Sequence, residues 1–361
     1  MSPTATVLPE HRIDRLWEAA TAGDEQTATA TVFGALEDGV PAESVLLDLI
    51  APVQRRVGEE WAANRISVAQ EHAASAINDR AVAALSHRCS ARPADDRGTV
   101  IVACVDGEWH GLPARLLAEV LKLRGRRVDY LGAQVPTSHL ITHVHRTGPE
   151  LVALSSSITT RLPAAHAAIT AVQATGTPVL AGGAAFGRHG QYARRLGADA
   201  WAPDARAAAD HLDRGPLPRP AGAHQPIDDL PHLADQEYTM VARTGTSLVR
   251  AVMDGLEERF PAMRDYTAAQ RSHTAEDVAH IVDFLSTALY TDAPELFTDF
   301  LVWTAGILDA RGVPARSLHP ALDILSEQLK DFPRATLILG RAADRLAGTG
   351  PVIASHTRNT V

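Results

Sequence analysis

The sequence predicts a multidomain protein of mixed α and α/β class: a helical bundle, a parallel sheet wrapped by helices, and a second all-helical block. Three observations predict it. Apolar residues recur at three and four positions over residues 9–90 and again over about 236–347. Between residues 98 and 214, short β-rich runs alternate with amphipathic stretches. A proline-rich, aperiodic segment at 216–235 separates the last block from the others.

The first domain, 9–92, reads as four helices at roughly 9–22, 25–38, 43–61 and 68–90. Acidic or small residues mark the breaks between them, and Ser67 with Gln70 forms a capping box ahead of the fourth. Four helices of this length suit a small bundle. The second domain, 97–215, carries the strands TVIVACV, RVDYLG, LVALSSS, PVLAGG and ADAWA. Helical segments near 112–124, 137–146, 162–175, 187–196 and 204–214 separate them. That alternation is a flavodoxin- or Rossmann-like pattern, in which ligands bind beyond the carboxyl ends of the strands. After the linker, 236–347 is helical with breaks at Pro261, Pro294, "RGVP" and Pro333.

Composition narrows the function. The 361 residues are 45% hydrophobic and 21% charged, an ordinary globular balance. A formal charge of −9 with no Lys/Arg-rich run argues against non-specific nucleic-acid binding. No apolar run approaches the roughly 18 residues of a membrane helix, and MSPTATVLPEHR has no signal-peptide pattern. Two cysteines, Cys89 and Cys104, are too few for a disulfide framework. A cytoplasmic protein is expected.

Chemistry concentrates at the strand ends. The first strand runs into VDGEWHGLP, which places His110 in a strand-to-helix loop facing the ligand crevice. Glu108 or Asp106 is placed to hydrogen-bond the ring nitrogen turned away from a ligand, which would fix the tautomer. SSSITT, 155–160, and AGGAAFG, 181–187, follow the third and fourth strands with hydroxyls and adjacent glycines. Each element alone is common turn chemistry. At the ends of successive strands of one sheet they describe a long slot.

These residues resemble the signature of the cobalamin-binding domain family: Glu108, His110 and Pro113, then Ser155 and Ser157, then Gly182 and Gly183. The resemblance implies that His110 is the lower axial cobalt ligand and that the displaced nucleotide tail enters beside the serines and glycines. Pro113 and Ser157 depart from the family's Gly and Leu. In the bundle, Trp61 is followed nine residues later by an adjacent Glu71 and His72. A core tryptophan, a glutamate at a helix N-terminus and an exposed histidine would explain these three locally. The arrangement also resembles the adenosylcobalamin photoreceptors of the CarH type, which implies that Trp61 packs against the adenosyl group and Glu71 contacts its ribose. Those photoreceptors carry a histidine directly after the tryptophan where this chain has Ala62. His72 is therefore the candidate upper ligand after illumination. Their helix-turn-helix DNA-binding domain has no counterpart in this sequence, so no direct nucleic-acid partner is expected.

In the last block, His273, His280 and Asp283 fall on nearby faces of one helix, with Phe284, Phe297, Phe300 and Trp303 supplying apolar bulk. An ordinary helical core explains these as well. The domain order resembles the photocobilins, which bind adenosylcobalamin and biliverdin together. That likeness implies a globin-like domain and non-covalent biliverdin, since no cysteine follows Cys104. Asp283, His273 or His280 would accept from pyrrole N–H groups, and Arg243 or Arg250 would hold the propionates. The resulting expectation is a light sensor, not an enzyme. It would have an unknown downstream signalling partner, no membrane partner, and a light-dependent change of homo-oligomeric state. The alternatives are a corrinoid carrier subunit of a methyltransferase, or a cobalamin sensor with haem in its C-terminal domain.

Overall fold

A computed structural model describes residues 10–89, 98–220, 226–259 and 261–348. The chain forms two compact units that meet at Pro226. Residues 221–225 of the expected linker lie outside the described residues. From Pro226 the expected linker is helical instead: α11 spans Pro226–Asp229, and a 3-10 turn spans Pro231–Asp235. Proline at a first helical position presets φ and forfeits an N–H that would be unpaired there anyway.

The first unit opens with α1 (Glu10–Thr21) and α2 (Glu25–Glu37). The Asp24 carboxylate caps α2 by accepting from the Thr27 N–H at 2.9 Å. The predicted third helix is α3 (Ala42–Ser44), a π-helical stretch (Val45–Ile50) and α4 (Ala51–Ala62) in unbroken succession. Pro52 supplies the cause. It cannot donate to Asp48, and the register widens so that the Ala51 N–H reaches the Leu46 carbonyl five residues back. The expected capping box opens α5 (Val68–Cys89), with Gln70 N–H donating to Ser67 Oγ at 3.2 Å and Ser67 N–H to Gln70 Oε1 at 3.0 Å.

The sheet follows as β1 (Thr99–Cys104), α6 (Gly111–Leu123), β2 (Arg127–Gly132), α7 (Thr137–Thr147) and β3 (Leu151–Ser155). It continues with α8 (Leu162–Gln173), β4 (Val179–Gly182), α9 (Gln191–Arg195), β5 (Ala200–Ala202) and α10 (Ala205–Asp213). The five parallel strands lie in the order β2-β1-β3-β4-β5, the flavodoxin-like arrangement. The order reverses between β1 and β3, so the ligand crevice is expected at their carboxyl ends. One apolar core joins bundle and sheet: Leu16, Val53 and Leu85 cluster with Val100, Val102, Leu121, Leu151 and Ala209.

The second unit is helical throughout its described residues: α12 (Glu237–Arg259), α13 (Ala268–Thr291), α14 (Pro294–Ala310), α15 (His319–Gln328) and α16 (Pro333–Gly348). Its own core includes Val252, Leu285, Phe297, Leu325 and Leu339. Buried Glu237 caps α16 by accepting from the Arg334 and Ala335 N–H groups at 3.1 and 2.9 Å. Among the described residues, no helix is long and apolar enough to cross a membrane.

Candidate cofactor site

His110 is the residue before α6, at the carboxyl end of β1, and its ring is about half exposed. Its orientation is set from beneath. Glu108, fully buried, accepts from the His110 Nδ1–H at 2.7 Å and from the His110 N–H at 2.9 Å. The other carboxylate oxygen accepts from Ser156 Oγ at 3.1 Å, Ser157 N–H at 2.7 Å and Ile158 N–H at 2.8 Å. Burial alone would push this carboxyl up. Hydrogen bonds from the His110 ring and from the His110, Ile158 and Ser157 amides outweigh it and hold the value down at about 2. An anion at Glu108 keeps the imidazole proton on Nδ1 and leaves the Nε2 lone pair facing outward. Asp106 takes no part in this clamp and is exposed. The sequence reading missed Ser156, whose hydroxyl carries no family signature.

Beside this loop the strand ends make a shelf of small side chains. Cys104, Ser155, Gly182 and Ala202 lie in one register row across β1, β3, β4 and β5. Their strands turn Val102, Ala153 and Leu180, two residues earlier, toward the core shared with α6 and α10. A Cβ on Gly182 would already touch the Ala202 carbonyl oxygen at 3.4 Å. Gly183, at φ 98°, would place a Cβ 2.3 Å from the Ser156 carbonyl oxygen, so no other residue fits there. Cys104 and Ala202 join this row through register, which spacing alone does not reveal, and both are buried in the shared core.

Trp61 lies in the last turn of α4, and Glu71 and His72 lie in the first turns of α5, so the short turn between brings them to one end of the bundle. Trp61 is half-buried against the shared core. His72 Nδ1 is 2.9 Å from the Val68 carbonyl and 2.6 Å from Glu71 Oε2, and its ring is 74% exposed. Its Nε2 is therefore free to face outward, as in His110. Helix α5 packs on α6 near the C-terminal ends of both, where Ser86 donates to Glu119 and Cys89 lines a crevice with Lys122 and Leu123. Glu71 precedes Ser86 by fifteen residues, whereas the α6 start at Gly111 precedes Glu119 by only eight. Along its own axis α5 therefore extends roughly 10 Å farther from this contact than α6 does.

A metal would be held at His110 only in a particular way. Among the described residues, no cluster of three His, Cys, Asp or Glu is arranged to hold an ion. His110 is a single nitrogen donor, suited to a metal whose other ligands arrive with it, as in a macrocycle. Trp109, 55% exposed beside His110 with ring centroids 5.5 Å apart, adds apolar surface that the sequence reading did not single out. The Arg161 guanidinium lies 5.9 Å from the Trp109 ring centre.

In the second unit, Arg243 and Arg250 on α12 and His273, His280 and Asp283 on α13 are all exposed. Asp277, on the same helix, lies within electrostatic reach of both histidines. Loss of hydration raises the Asp277 value, against the opposing pull of His280, Arg311 and His273. Two turns from Asp277, Phe284 stacks on Phe300 with centroids 3.7 Å apart, and Trp303 is 42% exposed beside them.

Comparison with known proteins accounts for the first unit. Residues 12–86 match one family described as a B12 binding domain, and residues 98–212 match a second of the same description. The HTH-type transcriptional repressor CarH of Myxococcus xanthus is 30% identical over 183 residues, which is 49% of this chain and 60% of the repressor. The trimethylamine corrinoid protein of Methanosarcina barkeri is 25% identical over 156 residues, 42% of this chain and 71% of that protein. The chain thus spans less than two thirds of the repressor's length. The solved monomethylamine corrinoid protein of Methanosarcina barkeri superposes with a TM-score of 0.51 at 20% identity, covering 56% of this chain and 97% of that one, a likeness of fold. The first unit is a cobalamin-binding module made of two B12 binding domains, residues 12–86 and 98–212.

Proposed function

We propose that the protein is a light-sensing regulator that holds adenosylcobalamin between His110 and the bundle. The carrying observation is a clamped, outward-facing His110 Nε2 in a chain that gathers Trp61, Glu71 and His72 at one end of its bundle. A carrier subunit must expose the cofactor's upper face to exchange groups with an enzyme. An aromatic side chain and a carboxylate over that face suit the retention of a bulky, hydroxyl-bearing upper ligand instead. Likeness to a CarH repressor supports the sensor reading, and likeness to corrinoid proteins keeps methyl carriage as the competing one.

The cofactor supplies cobalt and, in its adenosyl form, a cobalt–carbon bond that light breaks. The chain supplies the rest. Glu108 holds the His110 tautomer, the strand ends at Ser155 and Gly182 receive the nucleotide tail, and Trp61 packs against the adenosyl group. Glu71 accepts from the ribose hydroxyls, and His72 offers Nε2 once the upper position is vacated. Contacts present only in the dark bias the bundle toward one arrangement, and their loss biases it toward another. The second unit is proposed as a globin-like site for non-covalent biliverdin, with haem as the competing occupant. Asp283 or Asp277, with the two histidines beside the Phe284–Phe300 stack, would serve as the acceptor.

The test is to load the protein with adenosylcobalamin in the dark and illuminate it. Dark-stable binding, with a spectral change on illumination that His72→Ala alters more than it alters the dark spectrum, supports the sensor. Equal affinity for methyl- and adenosylcobalamin, with methyl transfer to a partner enzyme, supports the carrier.

A further inference from the structure

Beneath Glu71 runs a chain of side-chain hydrogen bonds that no local rule of helix formation requires. Asn78 Nδ2 donates to Gln54 Oε1 at 2.9 Å, Gln54 Nε2 donates to Ser75 Oγ at 2.7 Å, and Ser75 Oγ donates to Glu71 Oε1 at 2.9 Å. The chain crosses from α5 to α4 and back. It begins at a fully buried amide whose Oδ1 has no hydrogen-bond partner. An unpaired buried carbonyl is costly, so an apolar residue at 78 would be the more stable choice for the bundle alone. The arrangement keeps the amide and its cost.

The direction of donation explains what is gained. A hydroxyl has one proton, so Ser75 can donate to Glu71 only if Gln54 donates to Ser75. Gln54 is held in that sense because its own oxygen is taken by Asn78. Each step fixes the next, and the last fixes Glu71 Oε1 as an acceptor. With Oε1 held, the carboxylate cannot swing, and Oε2 stays beside His72 Nδ1 at 2.6 Å, on the part of Glu71 that remains exposed.

We infer that Asn78, Gln54 and Ser75 are positioning residues that aim Glu71 Oε2 at the hydroxyl donors of a ribose-bearing upper ligand. They make the bundle selective for adenosylcobalamin over cobalamins with small upper ligands. This rests on the proposed function, because it takes Glu71 to be the ribose acceptor.

The experiment measures dark affinity of the full-length protein for adenosylcobalamin and methylcobalamin in Ser75→Ala, Ser75→Thr, Gln54→Leu and Glu71→Gln variants. Loss of the chain should lower adenosylcobalamin affinity about tenfold in Ser75→Ala and Gln54→Leu. Methylcobalamin affinity should stay within about twofold. Ser75→Thr, which keeps the hydroxyl, should restore most of the loss. If Glu71→Gln loses selectivity while Ser75→Ala and Gln54→Leu keep it, the positioning role is wrong and the Glu71 reading stands. If Glu71→Gln also keeps it, the ribose-acceptor reading itself fails. Equal loss of both cobalamins in Gln54→Leu and in Ser75→Ala would show a merely structural chain.

Discussion

At the scale of single residues, the site turns on one buried carboxylate. Glu108 accepts five hydrogen bonds, so Glu108→Gln would set an amide NH2 against the Ser156, Ser157 and Ile158 donors. It should destabilise the first unit by about 3 kcal/mol, measurable by denaturant unfolding. The same residue predicts an acid limit. Its folded value of about 2 lies below the ordinary carboxylate value. Its stabilisation is therefore complete above the unfolded pKa and is lost as pH falls toward about 2. In wild type, unfolding free energy should decline through that window, and in Glu108→Gln this component of the decline should be missing. His110→Ala should abolish the nitrogen hyperfine splitting in the electron spin resonance of the cob(II)alamin form and weaken cobalamin binding. Unchanged splitting would mean another residue ligates cobalt.

At the scale of elements, two features decide what the site accepts. The β4 end approaches the Ser156 carbonyl so closely that Gly183→Ala meets both a backbone clash and a positive φ. Destabilisation of about 3 kcal/mol or more is expected, together with weaker cobalamin binding. The α4–α5 hairpin carries Trp61 at one end of the bundle. Trp61→Ala removes a flat apolar surface and should narrow the preference for adenosylcobalamin over methylcobalamin. An unchanged affinity ratio would make Trp61 a core residue only.

At the scale of the whole molecule, each unit carries its own apolar core. A fragment from Pro226 onward should therefore fold alone and show a cooperative helical melting transition. Given biliverdin, the fragment should absorb in the red and release the pigment on acid denaturation, since the described second unit has no cysteine to hold it. Purification with haem in place of biliverdin would overturn the bilin assignment and leave the cobalamin module untouched.

Periodicity was enough to show the α/β alternation and the four bundle helices, because burial on one helix face or both sheet faces imprints directly on the order of apolar residues. The Ser67 capping box and the Glu108–His110 pair were legible for a similar reason: both are contacts between residues two or three apart. Contacts between distant segments were not legible. Ser156 reaches Glu108 across 48 residues, and the Cys104–Ser155–Gly182–Ala202 row exists only once strand register is set. How far α5 extends past its contact with α6 likewise depends on how two helices slide along each other. That slide is set by packing between side chains distant in the chain, and no local pattern encodes it.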